Sequence, residues 1–363
     1  MVSNHTGKKK VAILIENFVE DAEFQVPYNA LKQAGMEVVV LGSRVNETYK
    51  GKQGKLSKQP DGTTTEAIAS EFDAVVIPGG MAPDYMRRNP NTVRFVQEAM
   101  QQGKLVAAVC HGPQVLIEGD LLKGKQATGF LAIRKDMINA GANYIDEALV
   151  VDGNLITSRQ PGDLPIFTTA LLSRLGYGGK DAALPDERDP RAEWWKLADA
   201  WGGSTKGEIV KALNTALSGE RYSLEALQKY SDKESDAQIK SLFQELIGNK
   251  QQHIQFLETR LDELGEKPSL TANLANQYAK VKTALTGSDD IFQLRSALGD
   301  AQTGIGDIGN LIAATTDPIS TAIFTQIHKD LLTYEQRLVE LYRSRVGSQV
   351  KPAQPTTGAA VSM

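Results

Sequence analysis

The chain contains one cysteine in 363 residues. No disulfide can form within it, and a reducing compartment suits such a composition. Tryptophan is nearly as scarce, with three in all, gathered at Trp194, Trp195 and Trp201. No apolar run approaches the roughly 18 residues that would suggest a membrane span. Val11 to Ile15 follows Lys8-Lys9-Lys10 and gives way to Glu16, which is too short for the core of a signal peptide. An excess of one charge is also missing. The formal net charge of −4 gives no reason to expect nucleic acid or an anionic membrane as partner. With 41% hydrophobic and 23% charged residues, what remains is a globular chain long enough for two domains. The expected location is cytoplasmic.

The lone cysteine sits in Lys104-Leu-Val-Ala-Ala-Val-Cys-His-Gly-Pro113. Leu105 to Val109 is an unbroken apolar run of the kind that forms a strand buried on both faces. Gly112-Pro113 ends it ahead of a helical stretch. Cys110 therefore falls on a strand-to-helix turn, the placement that lifts a nucleophile above the end of a parallel sheet. Isolated cysteines are usually small buried hydrophobes, but this turn favours a reactive one. The start of the following helix should ease ionisation of the thiol. His111 is expected to point elsewhere, because adjacent side chains at a sharp turn diverge.

The rest of the first half alternates strands and helices. Val11 to Ile15, Glu37 to Leu41, Asp73 to Ile77 and Leu105 to Val109 read as strands. Glu20 to Gly35 and Thr92 to Gln102 read as helices. Ala148 to Val151 and Leu155 to Ser158, joined by Asp152-Gly-Asn154, carry a hairpin signal, and Asp163 is placed to cap a helix running to about Leu175. The pattern predicts an α/β fold with a parallel sheet sandwiched by helices. Ligands of such sheets bind beyond the carboxyl ends of the strands. Three segments converge there: Glu20 and Glu23 after the first strand, Pro78-Gly79-Gly80 after the third, and Cys110 after the fourth. Gly79 and Gly80 either form an ordinary turn or present N–H groups as half of an oxyanion hole, with the amide after Cys110 supplying the other half. Glu20 and Glu23 either belong to the usual acidic first turn of a helix or bring one carboxyl to the sulfur.

Taken together, Val19-Glu-Asp-Ala-Glu23, Val76-Ile-Pro-Gly-Gly80 with Ala82-Pro-Asp84, and Ala108-Val-Cys-His-Gly-Pro113 resemble the PfpI/ThiJ superfamily. Arg134 to Gly141, Val150 to Asn154 and Ser158 to Asp163 match as well, so the resemblance spans roughly Lys9 to Leu175. It implies a flavodoxin-like fold related to class I glutamine amidotransferases. It also implies Cys110 as nucleophile, His111 as its acid/base partner, Glu23 as the carboxylate contacting the sulfur and Glu20 as its acidic neighbour. Gly79, Gly80 and Gly112 become candidate oxyanion or substrate-binding groups, with the His111 amide. Asp84 stands where the family usually has a Glu that orients the histidine across a subunit boundary, which implies a homo-oligomer built through the α/β domain. Phe130 stands where some relatives carry a tyrosine. A protonated Glu23 could donate a hydrogen bond to the thiolate, which avoids the repulsion that two anions would suffer.

From Gly176 the texture changes. A glycine-, proline- and charge-rich connection leads to the three tryptophans, read as an anchor packed against one domain or as a partner surface. Beyond Thr205 strand signals stop. Lys206 to Tyr230, Ser235 to Leu264, Leu270 to Leu285, Ile291 to about Ile312 and Ile319 to Val346 have helical spacing, with Gly304, Gly306 and Gly309 loosening the fourth. This half resembles ferritin-like bundles, notably at Gly219-Glu-Arg-Tyr222. A di-iron site would need Glu-x-x-His on two helices. Here Lys250 precedes His253 and Leu338 follows Glu335 at those positions. No metal and no cofactor are expected, and His253 and His328 read as solvated or core-edge residues.

The expected organisation is a disordered start over 1–8, a PfpI-like α/β domain over 9–178 and a linker with a tryptophan anchor over 179–204. A ferritin-like helical bundle over 205–346 and a disordered tail over 347–363 complete it. The expected function is cysteine-dependent chemistry on reactive carbonyls, either methylglyoxal to lactate or deglycation of glycated amino groups. The alternatives are a cysteine peptidase with the same site, or a redox-sensing or binding protein with an oxidisable Cys110. The expected partners are small aldehydes or glycated proteins, with an unknown protein partner for the helical module and neither nucleic acid nor membrane.

Overall fold

A computed structural model describes residues 8–177, 184–269 and 290–346. The helix expected over 270–285 and the tail over 347–363 lie outside the described residues. The chain divides into two compact units, Met1–Lys206 with Ala314–Pro318, and Gly207–Ala313 with Ile319–Met363.

The first unit is built on a seven-stranded sheet. In chain order its strands are β1 (Lys10–Leu14), β2 (Glu37–Gly42), β5 (Gly62–Thr63), β6 (Ala74–Ile77), β7 (Leu105–Val109), β10 (Leu149–Asp152) and β11 (Leu155–Ser158). Their spatial order is β10-β11-β7-β6-β1-β2-β5. Every pairing is parallel except the β10–β11 hairpin at one edge. The central strands are buried on both faces, which is why they read as continuous apolar runs rather than alternating ones. Helices α1 (Asp21–Gln33), α2 (Ala82–Met86), α3 (Pro90–Gln101), α4 (Pro113–Glu118), α5 (Arg134–Asn139) and α6 (Leu164–Arg174) fill the connections. The chain leaves β1 toward β2 on one side and returns to β6 on the other. The carboxyl ends of β1 and β6 therefore flank a topological switch point, the usual place for a site in such sheets. Two-residue strands β3 (Tyr49–Lys50) and β4 (Ser57–Lys58), with β8 (Gln126–Ala127) and β9 (Asn143–Tyr144), are too short to leave a sequence signal.

The stretch 184–204, expected within a linker with a tryptophan anchor, packs into this unit. It carries helix α7 (Trp194–Ala200), and Trp201 joins the core cluster of the sheet domain. The Trp201 carbonyl accepts a hydrogen bond from Asn29 Nδ2 at 3.0 Å, and Trp194 Nε1 donates to the Asp189 carbonyl at 3.0 Å. Bulky indoles with satisfied polar groups bury well, so charge-rich composition here does not mean a free connection.

In the second unit the described residues form helices α8 (Lys206–Lys233), α9 (Ala237–Glu263), α10 (Asp290–Ala314) and α11 (Pro318–Val346). Leu227, Phe243, Leu294 and Leu338, one from each helix, share a buried cluster. The glycines of α10 do not loosen it. Gly304 lies where an added Cβ would come within 3.2 Å of Leu331, so its small size permits close approach between α10 and α11. Among the described residues no helix is long and apolar enough to cross a membrane.

Candidate active site

The three segments expected to converge do so. Cys110 follows β7 with φ of 60°, a left-handed backbone that a non-glycine residue adopts only where the surroundings force it. Its N–H donates to the Ser158 carbonyl at 3.0 Å, and its carbonyl accepts from Phe130 N–H at 2.9 Å. The turn is thus clamped from both sides. One consequence reverses an expectation: His111 does not point away. Cys110 Sγ lies 3.3 Å from His111 Nδ1. The imidazole stacks beside Phe130, with ring centroids 4.9 Å apart.

Glu23, in the first turn of α1, is wholly buried. Its Oε2 accepts the Gly79 N–H at 2.7 Å, and the carboxyl is in hydrogen-bonding contact with the Cys110 side chain. Burial, with the nearby Glu20 carboxylate adding to it, pushes the Glu23 carboxyl up to about 8. Burial, and then the charge of Glu23, also pushes the Cys110 thiol well above its ordinary range. The expected easing of ionisation is therefore corrected. The amides of Gly80 and His111 do hydrogen-bond the Cys110 side chain and favour its anion, but desolvation in this pocket outweighs them. The two acids share one environment and titrate as a pair.

The glycines divide into distinct roles. Gly79 spends its N–H on Glu23, and a Cβ there would lie 2.6 Å from Glu23 Oε2 and 2.9 Å from Cys110 Cβ. It positions the carboxyl rather than binding an oxyanion. Gly112 donates its N–H to the Val109 carbonyl at 2.8 Å, and a Cβ would lie 2.3 Å from the Ile77 carbonyl oxygen. Its small size lets the turn pass over β6, and its amide is committed, so the expected substrate-binding part is corrected. Gly80 remains, with the His111 amide, as donor at the sulfur. It has φ of 74°, and a Cβ would lie 2.4 Å from Glu20 N and 2.5 Å from the Phe18 carbonyl oxygen. Gly80→Ala is expected to cost about 1–3 kcal/mol for the backbone conformation alone, with the collision adding to it. Thermal denaturation checks this, and an unchanged midpoint would contradict the close approach.

Glu20 is buried and pinned. Gln53 Nε2 donates to its Oε1 at 2.6 Å, and Lys52 Nζ stands 3.5 Å from Oε2. Burial raises its carboxyl and Lys52 opposes the rise. Neither Lys52 nor Gln53 was legible as a site residue. They reach Glu20 because the carboxylate of buried Asp21 accepts the N–H groups of Gln53 and Leu56, both at 2.7 Å, and folds the β3–β4 loop over the start of α1. Phe18 is a second unforeseen element. With φ of 62°, its carbonyl accepts from Met81 N–H at 2.9 Å, and its half-exposed ring lies 6.3 Å from that of Tyr85.

Asp84 is not hydrogen-bonded to His111 within the chain. Its half-exposed carboxylate pairs with Arg87 at 2.7 Å. Burial lowers the pKa of the His111 imidazole, and the charge of Asp84 works against that at a distance. The histidine is thereby biased toward the neutral form, which can accept a proton.

A thiol on a strained turn after a buried parallel strand, a buried carboxyl against it and two amides aimed at the sulfur define a cysteine-centred α/β protein. The chain belongs to the DJ-1/PfpI family, whose profile matches residues 9–174. Residues 208–312 match a domain of unknown function, DUF2383. The chain is 42% identical over 169 residues to protein/nucleic acid deglycase 2 of Escherichia coli (strain K12), covering 46% of this chain and 98% of that one. It is 42% identical over 168 residues to general stress protein 18 of Bacillus subtilis (strain 168), again covering 46% and 98%. Other matches to this half carry a deglycase name and a provisional cysteine-protease name. A crystal structure of a two-domain protein from Anabaena variabilis ATCC 29413, with DJ-1/ThiJ/PfpI-like and ferritin-like domains, is similar throughout. It shares 79% identity, covers 97% of this chain and 100% of its own, and superposes with a TM-score of 0.91.

Proposed function

We infer that the first unit is a cysteine-dependent enzyme acting on small reactive carbonyls, free dicarbonyls or the carbonyl adducts they leave on exposed amino groups. One observation carries the reading. The Cys110 side chain is only 6% exposed and lies against a buried carboxyl that holds its proton to about pH 8. A sulfur so enclosed accepts a small electrophile more readily than an extended polypeptide. The deglycase names among the relatives agree with this class.

The chemistry follows from the groups present. Sγ adds to the aldehyde carbon of methylglyoxal as its proton passes to neutral His111 Nδ1, while protonated Glu23 donates a hydrogen bond to the sulfur. His111 passes that proton to the carbonyl oxygen, which becomes the hydroxyl of a hemithioacetal and is held by the Gly80 and His111 amides while negative charge develops on it. His111, neutral again, takes the proton from the former aldehyde carbon and returns it to the adjacent carbon, while the hydroxyl proton moves to the neighbouring carbonyl oxygen, so the hemithioacetal becomes a thioester. Glu20 is a weaker candidate for this shuttle, because Gln53 and Lys52 hold it. Water cleaves the thioester, so methylglyoxal plus water gives lactate with no redox partner. An adduct on an amine would follow the same course, with the amine leaving first.

Reduced protein is expected to form lactate from methylglyoxal without glutathione or added metal, and to release free amine from a methylglyoxal-treated amino acid. Folded, reduced protein that does neither would overturn this reading in favour of peptide hydrolysis or oxidation at Cys110.

A further inference from the structure

The second unit carries a polar cluster that the carbonyl chemistry does not use. Glu220 of α8 and the pair Lys250 and His253 of α9 are all buried in the bundle core. Glu220 Oε1 accepts from Lys250 Nζ at 2.8 Å, and Oε2 stands 2.8 Å from His253 Nδ1. The other imidazole nitrogen, Nε2, lies 2.9 Å from Asp330 Oδ2 on α11. His253 is thus neither solvated nor at the core edge, as its sequence context suggests, but clamped between two carboxylates. On the fourth helix, α10, Asp300 accepts from Tyr230 Oη at 3.1 Å. It lines a water-sized cavity shared with Lys250, Ser223 and Tyr334. The Tyr334 hydroxyl is buried there without a protein partner.

The placement has the layout of a carboxylate-bridged metal centre, with acids from separate helices and an i, i+3 pair on one of them. The residue types fit such a centre poorly. The first member of the pair is an ammonium, Glu220 is bonded to it, and both nitrogens of His253 face carboxylates. Among the described residues no three His, Cys, Asp or Glu side chains are arranged to hold a metal ion. We propose that the Lys250 ammonium is the resident cation of this bundle, compensating the inward-facing acids in place of a divalent metal and excluding one by charge and by occupancy. A buried carboxylate needs a paired, hydrogen-bonded counter-charge. An ammonium supplies three donors where a metal would supply coordination bonds.

The test uses full-length, chelator-treated protein titrated with Co²⁺, in a Cys110→Ser background so that the thiol contributes no ligand. The parent is expected to show no stoichiometric Co²⁺ absorption and no Co²⁺-dependent rise in Tm. Lys250→Glu removes the ammonium and supplies a carboxylate. It is expected to bind one Co²⁺ per chain at least about 100-fold more tightly, the order expected when a like charge some 4 Å away is removed in a medium of intermediate dielectric. Its Tm should fall without metal and recover with it, and a further His253→Ala change should abolish both effects. If Lys250→Glu does not fold, Lys250→Asp, which also removes the ammonium and supplies a carboxylate, serves with the same expectations. Stoichiometric Co²⁺ in the parent that disappears with His253→Ala would overturn the proposal. So would a folded Lys250 variant that binds none.

Discussion

Cys110→Ala is expected to abolish lactate formation from methylglyoxal, with a loss of at least about 10³-fold, since removing a covalent nucleophile leaves only binding and oxyanion stabilisation. The variant should fold, because the side chain is small and the turn is held by backbone bonds from Cys110 to Ser158 and Phe130. Circular dichroism and Tm separate loss of chemistry from loss of structure. Residual turnover close to wild type in a folded Cys110→Ala protein would remove the sulfur from the mechanism and leave His111 or Glu20 to act alone on an enolisable substrate. Cys110→Ser should behave nearly as badly, because a hydroxyl in this environment gives up its proton far less readily than a thiol.

Glu23→Gln should have the next largest effect, in two measurements. Turnover is expected to fall by about 10²–10⁴, the usual contribution of a positioned acid, while the amide oxygen still accepts the Gly79 N–H. Stability should respond in the opposite direction. The folded state holds the Glu23 proton up to about pH 8, whereas the unfolded chain releases it near 4.5. Between those values the native state binds more protons than the unfolded one, so stability falls as pH rises through the window. The glutamine variant lacks that titration. Its Tm should lose less between pH 5 and pH 8.5 than wild type does, at about 2–4 °C per kcal/mol for a unit of this size. Parallel Tm curves for the two proteins would mean that Glu23 ionises normally in the fold. Titration of the thiol by alkylation rate adds a third reading. Because the charge of Glu23 helps to raise the Cys110 thiol, the thiol pKa should fall when the carboxyl is lost, and an unchanged or higher value would point instead to a Glu23 still protonated and donating to the thiolate where the thiol titrates.

Much of the first unit was legible because its chemistry sits on buried parallel strands. Leu105–Val109 and Ala74–Ile77 are apolar throughout for the reason that both faces are covered. The residue types that end them, Cys110 and Gly79-Gly80, mark where a site must lie. What could not be read is geometry that depends on a single dihedral or on very short elements. The meeting of Cys110 and His111 occurs on a turn where Cys110 has φ of 60°, a conformation that local sequence does not announce. The contacts of Lys52 and Gln53 with Glu20 depend on a two-residue hairpin held by Asp21. The thiol shifts against the helix-terminus expectation because such end effects are local, whereas desolvation depends on everything packed around the sulfur.

The helical half divides in the same way. Apolar spacing in Lys206–Lys233, Ala237–Glu263 and Pro318–Val346 determined by itself that long amphipathic helices form. The Lys250-x-x-His253 spacing by itself argued against a metal centre. The sequence likewise determined that the one thiol falls on a turn after a buried strand. Only the tertiary structure decided that Glu23 would be wholly buried and hold its proton to about 8, and that Gly79 and Gly112 would serve packing while Gly80 faces the sulfur. It alone joined Glu220, His253 and Asp330, separated by 33 and 77 residues along the chain, into one buried network. The physical reason is common to both halves. Periodicity and turn chemistry are local and are written in neighbouring residues, whereas burial and charge pairing belong to whichever distant segments the fold brings together.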